Sequence, residues 1–518
     1  MTDIRPAGLD ASGRRLQLAG AFLAGLLAAL GQAPFGLWPA TVAGLALGHA
    51  IWQQNATPGK AFLPGLALGA GYFILTLSWL VNPFFVEPWR HGWMAPFALA
   101  GMAVGLGLFW AVAGSLARSL TPATRGAGRG FGWLSWAMCL SAAEMARGWL
   151  FTGFPWGGPG LTWLDTPIAQ LAAYVGVTGL SALTFSLAAA LATLPRSTAR
   201  LRNTGLVLIA MALVLFASLP MHRPDVPADR PERIRLVQPN APQHLKWDPR
   251  HAPLFLERQI DLTAASPTSA DPAPELTIWP ETSVPYLMDL DSGLFAKIAK
   301  AASGRPVALG IQRGEGLRFY NSLVVLDGQG QVTGLYDKHH LVPFGEYIPF
   351  GDMLQSVGIR AFAAQLGRGY SAGPGAQMID MGALGTVLPL ICYEAIFPRD
   401  IRAAASRPDW LLQVTNDAWF GGFSGPQQHL AQARFRAIEF GLPMVRVANT
   451  GISAVIDARG NMRASIPLGQ HGWVDHHLPG ALPQTAYARF GDLPLTLFLI
   501  SAAMALLSHR SRGVRVSH

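Results

Sequence analysis

The chain has 518 residues, a net charge of +9 and only 13% charged residues, against roughly 25% in an ordinary soluble protein. Its mean hydropathy of +0.29 is high for a soluble enzyme. The basic residues sit in short clusters between apolar segments, which argues against a nucleic-acid partner. Two distant cysteines, Cys139 and Cys392, argue against a disulfide framework, and no CxxC or HExxH spacing suggests a metal site.

The averages hide a split. Residues 16–220 are apolar, Gly/Ala-rich and nearly free of acids; 221–485 have soluble composition; 490–508 are apolar again. This predicts a membrane domain over 1–220, a polar domain over 221–485, and a C-terminal helix with its tail over 486–518. About 20 apolar residues span a bilayer as a helix. Seven segments before residue 221 qualify: 16–33, 36–53, 61–81, 94–117, 131–149, 166–194 and 203–220. An eighth is 490–508.

The loop charges orient these spans. With the N-terminus inside, cytoplasmic pieces carry Arg5, Arg14, Arg15, Lys60, Arg118, Arg125, Arg129, Arg196, Arg200, Arg202, Arg510, Arg512 and Arg515, while the alternate short loops hold Arg90 and little else basic. Both termini are then expected in the cytoplasm and the polar domain on the far side. The segment after Arg14-Arg15 could be a cleaved signal peptide. Its immediate continuation into further apolar segments favours a retained helix.

Glu144 and Arg147, inside the fifth predicted span, lie three apart and can pair on one helix face. Ionisable groups at such positions are functional candidates, here for substrate binding; a structural ion pair is the alternative. The following stretch, Phe151-Thr152-Gly153-Phe154-Pro155-Trp156-Gly157-Gly158-Pro159, cannot be regular helix, and its aromatics suit a loop at headgroup level.

In the polar domain, strands are predicted over 233–238, 275–279, 306–311, 386–392, 410–414 and 444–448. Helices are predicted over 253–264, 294–302, 398–405 and 429–440. Two hairpins turn at Asp327-Gly328-Gln329-Gly330 and Asp457-Ala458-Arg459-Gly460. This alternation predicts an α/β sandwich, with catalytic groups at strand ends. Three polar residues occupy such ends. Glu281 closes Leu276-Thr277-Ile278-Trp279-Pro280, Lys338 follows Gly334-Leu335-Tyr336-Asp337, and Cys392 ends Leu390-Ile391. A carboxylate, an ammonium and a thiol suit a proton acceptor, an oxyanion stabiliser and a nucleophile.

Trp279-Pro280-Glu281, Asp337-Lys338-His339-His340-Leu341-Val342-Pro343-Phe344-Gly345-Glu346 and Cys392-Tyr393-Glu394, in that order, resemble the Glu-Lys-Cys site of the nitrilase superfamily. Set among seven spans before and one after, they resemble the membrane-anchored apolipoprotein N-acyltransferase family. Leu150-Phe151-Thr152-Gly153-Phe154-Pro155-Trp156 and Thr415-Asn416-Asp417-Ala418-Trp419-Phe420 are also similar to that family, whereas the run Gly157-Gly158-Pro159-Gly160 departs from it.

The resemblance implies a multi-pass α-helical membrane domain plus an α/β nitrilase-like (αββα sandwich) extracytoplasmic domain. It implies Glu281 as general base, Lys338 as oxyanion stabiliser and Cys392 as nucleophile. Glu346, Glu394, Tyr393 and Asn416 are expected as supporting residues. Trp247, Trp419, Arg147 and Glu144 are expected near substrate. The implied activity is acyl transfer from a phospholipid donor, the sn-1 chain of phosphatidylethanolamine, through a Cys392 thioester to the N-terminal amine of a diacylglyceryl apolipoprotein acceptor. Such an enzyme would work in the bacterial inner membrane as a monomer, with no cofactor. The residues alone leave two alternatives: a membrane-tethered amidase or nitrilase acting on a small C–N substrate, and a transporter with an accessory domain. The second predicts polar residues spread through several spans, and few are present.

Overall fold

The computed structural model describes residues 11–121, 132–193, 225, 227–267, 272–348 and 369–515. The chain separates into two compact units, Met1–Arg223 with Phe490–His518, and Pro224–Arg489.

The first unit is helical: α1 (Ala11–Ala29), α2 (Trp38–Trp52), α3 (Pro58–Thr76), α4 (Pro88–His91), α5 (Ala95–Leu120), α6 (Gly132–Arg147), α7 (Ala172–Thr193) and a terminal helix Leu493–Arg515. Glycine sets its packing. A Cβ on Gly25 of α1 would lie 2.1 Å from the Leu68 carbonyl oxygen of α3, and one on Gly71 would lie 2.1 Å from that of Phe22. The two helices therefore touch backbone to backbone, the close approach that small residues permit in lipid.

Among the described residues, three helical stretches are long and apolar enough to cross a membrane: Pro58–Thr76, Pro88–Leu120 and Pro167–Thr193. Leu493–Ser508 is a shorter apolar helix. α1, α2 and α6 fall on predicted spans but do not meet that measure of length and hydropathy. The predicted span 203–220 lies outside the described residues.

The aromatic loop divides in two. Trp149 and Phe151 are exposed, but Trp156 is buried against Trp79 with ring centroids 4.7 Å apart. The buried half has carbonyls that need donors, since lipid supplies none. Arg147 donates to the carbonyls of Phe154 and Trp156, Tyr72 to that of Gly157 at 2.8 Å, and Gln32 to that of Gly158 at 3.1 Å.

The second unit is built from two sheets whose central strands are buried on both faces. Among its described residues, twelve strands form two six-stranded sheets. The first contains β1 (Arg233–Gln238), β2 (Leu276–Ile278), β3 (Val307–Glu315), β4 (Arg318–Leu326), β5 (Val332–Asp337) and β12 (Gly472–His477), in the order β12-β1-β2-β3-β4-β5. The second contains β6 (Ile379–Asp380), β7 (Thr386–Ile391), β8 (Trp410–Thr415), β9 (Met444–Ala448), β10 (Ser453–Ile456) and β11 (Met462–Ile466), in the order β11-β10-β9-β8-β7-β6.

Period-two alternation divides each strand between two cores. In β7, Val387 and Ile391 join Ile234, Leu236 and Ile278 of the other sheet in the core between the sheets, while Leu388 and Leu390 face outward. Helices cover the outer faces. α8 (Ala252–Ala264) and α9 (Leu294–Ala301) place Leu256, Ile260, Phe295 and Ile298 on the first sheet. α10 (Pro398–Arg402) and α11 (Gly425–Phe440) place Ile401, Leu430, Ala433 and Phe440 on the second. The result is the four-layer αββα sandwich. β6 and β12 were not foreseen; β6 is two residues long, and β12 is only half-buried and carries Asp475, His476 and His477.

Gly310 of β3 positions the turn after β2. Its N–H donates to the Pro280 carbonyl at 3.2 Å, and its own carbonyl accepts from Ser283 N at 2.9 Å. A Cβ there would meet Pro280 O and Thr282 N at 2.5 Å each. Gly310→Ala is expected to cost about 1–3 kcal/mol of stability, read as a lowered Tm of the detergent-solubilised chain, with slower turnover because the Glu281 turn must move.

Candidate active site

The site lies where the two sheets present strand ends. Glu281 is three residues past β2, Lys338 immediately follows β5, and Cys392 immediately follows β7. Cys392 was expected as the last residue of a strand. It instead begins a 3₁₀ turn, Cys392–Ile396, with φ +53°. Thr282 (φ +43°), beside Glu281, and Phe344 (φ +63°), in the loop between Lys338 and Glu346, are also left-handed. Such conformations are uncommon outside glycine and persist only where surrounding contacts fix them.

Those contacts centre on a buried ammonium. Lys338 is 1% exposed; its Nζ lies 2.8 Å from Glu346 Oε1 and 3.7 Å from Glu281 Oε1. Burial disfavours its charge, but Glu346 and then Glu281 outweigh that and raise its pKa. The carboxylates take further donors. Asn321 Nδ2 of β4 reaches Glu281 Oε1 at 2.7 Å and Glu346 Oε1 at 3.3 Å. The backbone N–H of Asn416 donates to Glu281 Oε2, and that of Val342 to Glu346 Oε2, each at 2.8 Å. Burial, opposed by Lys338, leaves Glu346 above the usual carboxylate range.

Burial also pushes the Cys392 thiol up, and Glu281 adds to this, with Lys338 opposing. The resting sulfur is therefore protonated, with the Thr415 side chain beside it. The carboxylates that act on the thiol electrostatically are Glu281 and, more weakly, Asp417.

Glu394 connects two of these strand ends. Fully buried, it accepts from the N–H groups of Ile391 at 2.6 Å and His339 at 2.8 Å, and from the Tyr336 hydroxyl at 2.9 Å. It thereby ties the residue before Cys392 to the residue after Lys338. Burial would raise its pKa, but the His339 imidazole, with Nδ1 2.8 Å from Glu394 Oε1, and the Ile391 N–H lower it. Tyr393 is buried and packs edge-on against His340 and Phe397. Asn416 donates through Nδ2 to Gln243 at 2.7 Å and accepts from Asn449 Nδ2 at 2.8 Å.

Trp247 is half-buried beside Lys246, 5.7 Å from ring centroid to Nζ. Trp419 is half-buried in the 3₁₀ turn Asp417–Phe420. Glu144 and Arg147 belong to the helical unit. Arg147 is 2% exposed and bonded to Glu144, Phe154 and Trp156, while Glu144 also accepts from Trp110 Nε1 at 2.9 Å. This geometry is the structural ion pair rather than a cation held out for a lipid phosphate. Among the described residues, no group of His, Cys, Asp or Glu could hold a metal ion.

Two polar residues at the site were not singled out from the sequence. Asn321 lies inside the strand Arg318–Leu326, where an amide has no distinguishing local signal. Lys246 is buried, donating to the Glu281 carbonyl at 3.2 Å and Thr282 Oγ1 at 2.9 Å, and burial lowers its pKa to about 8. Its neighbour Trp247 drew the attention.

The sandwich, with its carboxylate, ammonium and thiol at adjoining strand ends, is of the carbon–nitrogen hydrolase class, and residues 234–484 match the family model of that description. Residues 24–190 match the model described as the apolipoprotein N-acyltransferase N-terminal domain. The apolipoprotein N-acyltransferase of Caulobacter vibrioides is 38% identical over 512 residues, covering 94% of this chain and 93% of its own length. That of Sinorhizobium fredii is 38% identical over 485 residues, covering 89% and 90%. Among solved structures, an amidase from Nesterenkonia sp. aligns with 52% of this chain and 97% of its own at 19% identity and a TM-score of 0.36. The chain belongs to the apolipoprotein N-acyltransferase family. It is an acyltransferase that joins membrane helices to a nitrilase-like domain.

Asp417, just beyond β8, is fully buried, yet Arg446 and His429 outweigh burial and lower its pKa to about 2. A carboxylate held below its unfolded value contributes stability that is complete above about pH 4 and lost as pH falls through about 2. The contribution is ~2 kcal/mol. Acid unfolding followed by tryptophan fluorescence should show this slope in the wild type and a shallower one in Asp417→Asn.

Proposed function

We propose that the chain moves an acyl group between two lipids through a thioester on Cys392. The sulfur attacks the sn-1 ester carbonyl of phosphatidylethanolamine as its proton passes to Glu281, and Lys338 stabilises the oxyanion of the tetrahedral intermediate. The intermediate expels a lysophospholipid alkoxide, which takes the proton from Glu281. The α-amine of an S-diacylglyceryl cysteine, at the N-terminus of an apolipoprotein, then attacks the thioester. Its proton passes through Glu281 to the departing sulfur, leaving an amide and restoring the thiol.

The observation that carries this reading is the charge balance around the sulfur. Lys338 lies between the Glu281 and Glu346 carboxyl groups beside a buried thiol, with Lys246 bonded to the Glu281 carbonyl. Ionising the thiol alone would create a further buried negative charge. Passing its proton to Glu281 leaves the total unchanged, so nucleophile activation and general-base action are a single step.

Glu346 then holds Lys338, Glu394 holds the nucleophile turn, and Asn321 and Asn416 hold Glu281. Tyr393, Trp247 and Trp419 line the approach. A site at the outer leaflet of the inner membrane suits both lipids, because moving an acyl chain into water costs about 0.8 kcal/mol per CH₂. The loop-charge pattern supports the same placement, with both termini cytoplasmic and the catalytic unit periplasmic. The chain acts as a monomer and without a cofactor.

Incubation with phospholipid radiolabelled in the sn-1 chain should leave hydroxylamine-sensitive label on the wild-type protein and none on Cys392→Ala. Lipoprotein N-acylation that persists in Cys392→Ala would overturn the mechanism.

A further inference from the structure

Behind the nucleophile, away from Lys338, lies a cluster that the proposed chemistry does not use. Gln413 of β8, Asp417, His429 of α11 and Arg446 of β9 are each fully buried. Buried charges of this kind are costly unless every donor and acceptor is matched. Here the matching fixes the direction of each hydrogen bond.

A guanidinium only donates. Arg446 Nη1 donates to Gln413 Oε1 at 2.6 Å, Nη2 pairs with Asp417, and Nε donates to the Ile452 carbonyl at 3.1 Å. With its oxygen taken by Arg446, Gln413 turns its amide nitrogen toward two atoms, His429 Nε2 at 2.8 Å and the Cys392 carbonyl oxygen at 3.2 Å. An amide nitrogen also only donates. His429 Nε2 must therefore be an unprotonated acceptor. His429 Nδ1 faces Asp417 Oδ1 at 2.9 Å, and a carboxylate only accepts, so the imidazole proton resides on Nδ1. The 3.4 Å approach of Arg446 Nη2 to Nδ1 is then one donor beside another, and the 3.2 Å approach of Nε2 to the Cys392 carbonyl oxygen one acceptor beside another.

Every orientation follows from the arginine, and the chain ends on the Cys392 carbonyl. A second arm approaches the sulfur, since Thr415 Oγ1 donates to Asp417 Oδ1 at 3.1 Å and its side chain lies beside Cys392.

We propose that Gln413 and His429 are positioning residues: Gln413 holds the left-handed turn of Cys392 through its carbonyl oxygen, and His429, neutral and protonated on Nδ1, orients the Gln413 amide. The groups facing His429 are Asp417, Arg446, Gln413, the Cys392 carbonyl and the Phe420 ring. Burial and the Arg446 charge lower its pKa, in keeping with a neutral ring. The φ of +53° at Cys392 is the strain that this cluster and Glu394 hold from opposite sides. Releasing one side lets the sulfur drift from the angle at which it meets a carbonyl carbon. A displacement of about 1 Å at a reacting atom can lower a rate about 100-fold.

The proposal rests on Cys392 as the nucleophile, and its test reads the sulfur without needing acyl transfer. Gln413→Met keeps the side-chain length and removes the donor. At pH 8, in detergent micelles, the variant should lose about 10–100-fold in acyl-enzyme formation at an unchanged KM for phospholipid. The rate of Cys392 alkylation by iodoacetamide should fall in parallel. Unchanged rates, or a loss carried by KM, would overturn it. Independently of that variant's folding, ¹⁵N-histidine NMR of the wild type, assigned with His429→Gln, should show a protonated Nδ1 and a bare Nε2. A protonated Nε2 would overturn the hydrogen-bond directions. Loss of alkylation in Gln413→Met together with full acyl transfer by Cys392→Ala would uphold the positioning role and sink the thioester mechanism instead.

Discussion

The ammonium of Lys338 governs the catalytic unit. A buried positive charge must be met by carboxylates, and both that meet it, Glu281 and Glu346, are themselves buried. Their remaining lone pairs must in turn find donors, which come from Asn321 in β4 and from the backbone after β8 and β5. One ion thus sets the course of several chain segments that are far apart in sequence. It also explains why left-handed residues gather here. Thr282, Phe344 and Cys392 lie where the backbone is bent to satisfy charges rather than to continue a strand.

The helical unit obeys the same rule with fewer charges. Its buried, non-helical stretch survives because Gln32, Tyr72 and Arg147 supply donors from other elements. Glu144 keeps Arg147 neutralised while this happens. Charged groups in a membrane segment are often taken as signs of a transport path or a ligand. Here the pair is better understood as the fastening of an irregular segment that must lie inside the unit.

Much of the catalytic unit was legible because its strands are short apolar runs broken by strong turn signals. Asp327-Gly328 and Asp457-Ala458-Arg459-Gly460 fall at hairpin turns, and Glu281, Lys338 and Cys392 stand out as polar groups after apolar runs. What remained hidden depends on partners distant in the chain. Gln413 and Arg446 occupy alternating strand positions that would equally suit a solvent-facing side, and only α11 packed over them makes them interior. Asn321 has no local signature at all. Trp156 and Phe151 sit in one aromatic run yet have opposite surroundings, decided by Trp79 more than seventy residues earlier. Span counting stands differently: α1, α2 and α6 coincide with segments read as spans but fall below the length and hydropathy that Pro58–Thr76, Pro88–Leu120 and Pro167–Thr193 reach.

The pairing of β1 with β12 has a mechanical consequence. The first and last strands of the catalytic unit run antiparallel, with Arg233 opposite His477 at the end where the chain enters and leaves. Force transmitted through the two flanking segments would therefore open this seam like a zipper, one rung at a time from that end. Such a seam yields at low load and recloses readily, whereas the strand ends that carry Glu281, Lys338 and Cys392 would feel little of the pull until it had parted.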